Sequence, residues 1–141
     1  MSTENNLQRF IDAQARNYND ALAEIKNGRK TTHWMWYVFP QIQGLGLSET
    51  AKFYAIEDAQ EAEAFVQHPV LGGQLVEISR ALLALPGHDP YTVLGSPDDM
   101  KLQSSMTLFG ALPNADPVFQ AVLDKFYSGE KDRKTLQLLG K

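Results

Sequence analysis

Apolar residues recur along this chain every three or four positions, and proline or glycine interrupts each run. Leu7, Phe10, Ile11, Gln14, Tyr18, Ala21, Leu22 and Ile25 mark one face of a long first helix. Gly28 is placed to end it, with Lys26 near the negative end of the helix dipole. Leu71, Leu75, Ile78, Leu82 and Leu85 repeat the spacing until "PG" at 86–87 breaks it. Ser48 ahead of "ETAKFYAI", Asp58 ahead of "AQEAEAFVQH", "SPDD" at 96–99, and Asp116–Pro117 ahead of "VFQAVLDKFYSG" read as helix starts. In "SPDD", Ser96 is expected to cap, Pro97 to enter the first turn, and Asp98 and Asp99 to complement the positive helix end. A short helix through "DRKTLQLL" closes the chain. No segment alternates as a strand does; the nearest, "YVF" and "YTVLG", are short. The pattern predicts an all-α fold, a single compact domain over residues 1–141 made of about seven or eight short helices.

Composition narrows the function classes. With 43% hydrophobic and 21% charged residues the chain is globular rather than disordered. A net charge of −4 supplies no positive field, so nucleic acid is not an expected partner. The absence of cysteine excludes thiolate nucleophiles, disulfides and thiolate metal sites. His33, His68 and His88 have no metal-ligand spacing, so neither a metal nor a cofactor is expected. No apolar run approaches the roughly 20 residues of a membrane span, and "MSTENNLQRF" lacks the pattern of a signal peptide. A cytoplasmic protein without a membrane partner is expected; the oligomeric state is left open.

The densest chemistry lies in "HWMWYVFPQIQGLGLSE", residues 33–49. If helical, it puts His33, Trp36 and Tyr37 on one face and Trp34 and Val38 on another, so much of it must be enclosed. These rings can fill the core, where indole and phenol groups need hydrogen-bond partners. Alternatively, Trp34, Trp36 and Phe39 can stack a flat ligand whose edge Gln41 reads through its amide. Upstream, Arg29 and Lys30 are suited to a phosphate, although such a run is often a solvated helix end. Glu57, Asp58, Glu61 and Glu63 read as an exposed face of that solvated kind.

"DDMKLQSSMTLF", residues 98–109, is the second candidate. Lys101, Ser104, Ser105 and Leu108 share a helical face amid apolar neighbours, a recipe for half-buried polar groups. The plainer alternative has Ser104, Ser105 and Thr107 bonding back one turn, with Lys101 reaching water beside Asp98. His33 can serve as an acid or base, with Asp98 or Asp99 as its carboxylate. A pair of His33 with Ser104 or Ser105 is conceivable, but no nucleophile-elbow pattern accompanies it.

"LQRFIDAQ", "GRKTTHWMWYVFPQIQGLGLSETAKFYAI", "HPVLGG", "DDMKLQSSMTLF" and "VLDKFYSGEKDRKTLQLLG" occur in this order over nearly the whole chain. Together they resemble an uncharacterised, mostly bacterial family catalogued as domain of unknown function 1810. The resemblance implies an all-helical single domain and no established activity. Some family members carry an automatic calpastatin label, but calpain inhibitors of that kind are disordered repeats, whereas this composition is globular.

Two functions are therefore weighed. The first is binding of a planar anionic small molecule, nucleotide-like, by Trp34, Trp36, Phe39, Gln41, Lys101, Ser104 and Ser105. An enzyme built on that site would be a metal-independent hydrolase or transferase using His33, Lys101 and Asp98. The second is a protein–protein interaction module with the aromatic segment as its hot spot. Exposure of the rings separates the two.

Overall fold

A computed structural model describes the backbone of residues 3–141 and the side chains from Leu7 onward. Met1 and Ser2, part of the segment read for a targeting signal, lie outside the described residues. Among the described residues nine helices follow in order: α1 (Thr3–Lys26), α2 (Met35–Val38), α3 (Glu49–Phe53), α4 (Ala59–Gln67), α5 (Leu71–Leu83), α6 (Pro90–Leu94), α7 (Asp98–Gly110), α8 (Pro117–Tyr127) and α9 (Arg133–Leu138). Among the described residues there is no strand, only an isolated parallel bridge between Ile42 and Ile56 that closes the loop 43–55 at its base. No helix among them is long and apolar enough to cross a membrane.

The expected start signals work where the cap reaches its own helix. Ser48, Asp58 and Asp116 each accept a hydrogen bond from a first-turn N–H, as does Asp132, which the sequence had not singled out, satisfying donors that have no partner inside the helix. Gly28 follows α1 at φ 81°, a conformation that costs other residues a steric penalty. Ser96 does not cap: α7 begins after Pro97, so Ser96 lies one position outside the turn. Helix α6 was not expected. Its start, Asp89–Pro90, repeats the Asp116–Pro117 signal, with Asp89 accepting from the Tyr91 N–H at 2.9 Å.

Helices α5 and α7 form the middle of the molecule. Helix α5 packs on α1, α4 and α8, and α7 packs on α4, α6, α8 and α9. A run of rings ties the layers together: Phe10 to Phe65 at 5.1 Å, Phe65 to Phe109 at 5.3 Å, and Phe109 to Phe119 at 5.9 Å. All four are buried, each contributing about 1.5–3 kcal/mol by leaving water. Where α4 meets α5, Gly72 lies so close to the Val66 carbonyl that a Cβ would approach its oxygen to 2.0 Å.

One expectation is reversed. Glu61 belongs to no exposed face; it is 3% exposed and forms a two-point ion pair with Arg9, at 3.0 and 3.3 Å. Arg9 also donates to the carbonyls of Phe53 and Ala55, both at 2.8 Å, fastening the end of loop 43–55 to α1. A buried carboxylate is stable only with such pairing.

Candidate ligand-binding site

The loop that follows α1 is folded around one carboxylate. Glu24 Oε1 accepts the N–H groups of Thr31 (2.7 Å) and Thr32 (3.0 Å) and the indole N–H of Trp34 (2.9 Å); Oε2 accepts the Thr32 hydroxyl at 2.5 Å. Burial alone would raise this carboxyl, but the donated hydrogen bonds outweigh it and hold its pKa at about 2. Glu24 is thus ionised at neutral pH and fixes where Arg29, Lys30 and Trp34 stand. The Lys30 N–H adds a bond to the Val93 carbonyl at 2.7 Å, joining the loop to α6.

Within this frame Trp34 is fully buried, and Tyr37 and Phe39 are buried with it. Helix α2 is a single turn, so the aromatic segment presents only Trp36 and His33 toward solvent. Their rings lie 6.4 Å apart. Among the described residues no hydrogen bond or ion pair joins His33 to Asp98 or Asp99. Asp98 is instead shared by two lysines: Lys30 Nζ lies 2.9 Å from one oxygen and Lys101 Nζ 3.5 Å from the other. Each lysine also faces an indole, Lys30 that of Trp34 at 5.3 Å and Lys101 that of Trp36 at 5.5 Å.

Four of the expected site residues converge. Trp36, Phe39, Gln41 and Lys101 line one slot with Tyr54 and Ala51 of the loop above it. Its volume is about 10 Å³, room for about one water molecule and none for a ring. Ser104 faces elsewhere: its hydroxyl bonds the Met100 carbonyl and Asp132, helping to dock α9. Thr107 likewise bonds the Gln103 carbonyl and accepts the Asp132 N–H. Ser105 is fully buried and its hydroxyl has no hydrogen-bond partner among the described residues. Neither serine pairs with His33.

Ligand-sized space lies on the other side of the Glu24 loop. Gly28, Arg29, Lys30, Tyr91, Thr92, Val93, Leu94 and Gly95 line a hollow of about 460 Å³. A second hollow of about 470 Å³, walled by Leu85, Pro86, Gly87, His88, Asp89 and Val93, shares Gly28, Thr92 and Val93 with the first. Together they form a trough between the end of α1 and α6, one half cationic and the other mainly apolar. Both volumes fall in the range of small-molecule sites, roughly 300–1,000 Å³. Tyr91 is 62% exposed at the cationic half. The Arg29 side chain makes no hydrogen bond or ion pair among the described residues, unlike Lys30. Sequence reasoning identified Arg29 and Lys30 but missed Tyr91 and Val93, which come from a helix too short to show periodicity, and the 85–89 wall, which is the connection between α5 and α6.

No curated protein matches the chain. A solved structure does: the conserved hypothetical protein Rv1873 from Mycobacterium tuberculosis, determined by crystallography at 1.38 Å, is 44% identical, with 96% of each chain covered and a TM-score of 0.93. The model of the family described as "Protein of unknown function (DUF1810)" matches residues 4–139. With a match of that length, the chain belongs to the DUF1810 family.

Proposed function

We propose that this protein binds a planar anionic small molecule, nucleotide-like in size and chemistry, in the trough between the end of α1 and α6. The observation that carries the reading is the exposed Arg29 guanidinium, without an ion partner, at the mouth of a ligand-sized hollow whose neighbour is apolar. A planar group enters the half walled by Leu85, Pro86 and Val93, or stacks on Tyr91, while its anion pairs with Arg29 in a two-point hydrogen bond. The slot at Trp36, Gln41 and Lys101 is too small for the ligand and shares no lining residue with the trough.

A thermal-shift screen against nucleotides and other aromatic anions tests this. A ligand at 100 times its dissociation constant adds about 2.7 kcal/mol, a rise of roughly 8–10 °C for a chain of this size. Arg29→Ala and Tyr91→Ala are expected to remove the shift, and Trp36→Ala to retain it. Shifts that survive both trough substitutions, or no shift across the panel, would overturn the proposal. A second reading, docking of a protein partner, draws on Leu47 (84% exposed) and Phe53 (59% exposed) at loop 43–55, not on the aromatic segment. Concentration-independent sedimentation as a monomer with no patch-dependent partner capture would count against it.

A further inference from the structure

We infer that the ligand of this trough carries a single anionic group, a carboxylate or a monophosphate, and that the site disfavours di- and triphosphates; this rests on the reading of the trough given above. Two cations stand at the hollow, but only one is available. The Lys30 ammonium is held 2.9 Å from Asp98 and its side chain is 8% exposed, with the Trp34 ring against it. Lys101, the next cation, is engaged by the other oxygen of the same carboxylate. The arrangement therefore consumes Lys30 and leaves Arg29 as the free partner for an anion.

The carboxylates of the region point the same way. Asp98 and Glu24 stand behind the lining residues and are already engaged, Asp98 by the two lysines and Glu24 by four donated hydrogen bonds. At the far wall, Asp89 is an exposed carboxylate whose oxygens accept from the Tyr91 N–H and the Thr92 hydroxyl. A second phosphate would find no free cation beyond Arg29, and toward the far wall it would face the Asp89 carboxylate at a repulsive cost. One anion meets one bidentate guanidinium instead. Asp98 is thus a specificity-determining residue: it withholds Lys30 from the ligand.

Isothermal titration with adenosine, AMP, ADP and ATP at fixed ionic strength tests the inference. AMP is expected to bind at least ten-fold more tightly than adenosine, with ADP and ATP no tighter than AMP. Arg29→Ala should bring AMP down to the adenosine level. Asp98→Asn frees Lys30 and Lys101 and should move the preference toward ADP. Tighter binding of ATP than AMP by the wild-type protein, or equal binding of AMP and adenosine, would overturn the single-anion inference while leaving trough binding intact. If none of the four binds but benzoate and other aryl carboxylates do so through Arg29, the single-anion inference is upheld with a carboxylate; if no aromatic anion binds, the trough reading itself is lost. Circular dichroism confirms that each variant is folded before titration.

Discussion

Replacing Glu24 with glutamine should weaken the protein at neutral pH and much less in acid. The carboxylate accepts four hydrogen bonds, one from the indole of the fully buried Trp34. Glutamine keeps one acceptor oxygen for the Thr31, Thr32 and Trp34 N–H groups, and the Thr32 hydroxyl can turn to accept from its amide. What is lost is the charge. The carboxyl lies at about 2 in the fold against 4.5 without it, so its ionised form stabilises the folded state above pH 4.5. As pH falls from 4.5 toward 2, that contribution disappears. A shift of this size corresponds to about 3 kcal/mol at most, and the group's solvent exposure reduces it to about 1–2 kcal/mol. Urea unfolding at pH 7 should show Glu24→Gln less stable by that amount. At pH 3 the gap should shrink by roughly half, because the unfolded carboxyl has already taken up its proton. Glu24→Ala should cost about 1–3 kcal/mol more than glutamine, since it strands the buried indole N–H. An equal gap between wild type and Glu24→Gln at both pH values would refute the assignment of an ionised, loop-organising Glu24.

The adjacent glycines of α5 should respond in opposite directions. Gly72→Ala drives a Cβ into the Val66 carbonyl and should cost about 1–3 kcal/mol, whereas Gly73→Ala meets open space in a helix and should stabilise by about 0.5–1 kcal/mol, both read by urea melts. The serines of α7 should also separate: Ser104→Ala breaks the bond to Asp132 and should cost about 0.5–1.5 kcal/mol, while Ser105→Ala removes a buried hydroxyl without a partner and should be neutral or stabilising. A larger loss at Ser105 than at Ser104 would contradict the hydrogen bonding described for them.

What could be read from the sequence was what acts within a turn or two of itself. Ser48, Asp58 and Asp116 bond N–H groups two or three residues ahead, so their meaning survives without the rest of the fold. The first helix and α5 likewise bury residues at the spacing that announced them. Glu61 was misjudged because its partner is remote in the chain: Arg9 meets it at a separation of 52 residues. Asp98 stands in the first turn of α7 beside Lys101, as the local pattern indicated, but its second partner, Lys30, comes from across the loop and was not legible. Helix α7 is a different case. It is enclosed by α4, α6, α8 and α9, which buries Ser104, Ser105 and Thr107, and the hydroxyls of Ser104 and Thr107 bond back one turn as the plainer reading of the sequence had it. Two of the three then find bonds that hold α9 in place. The aromatic block has the same explanation. Its rings allow both a core and a ligand-wall reading in isolation; Glu24 holds Trp34 in the core, and loop 43–55 covers the slot beside Trp36. The space left for a ligand lies on the far side of that same Glu24 loop, assembled from 28–30 and 85–95. Its location follows from where one carboxylate holds the loop, which no local pattern in either segment records.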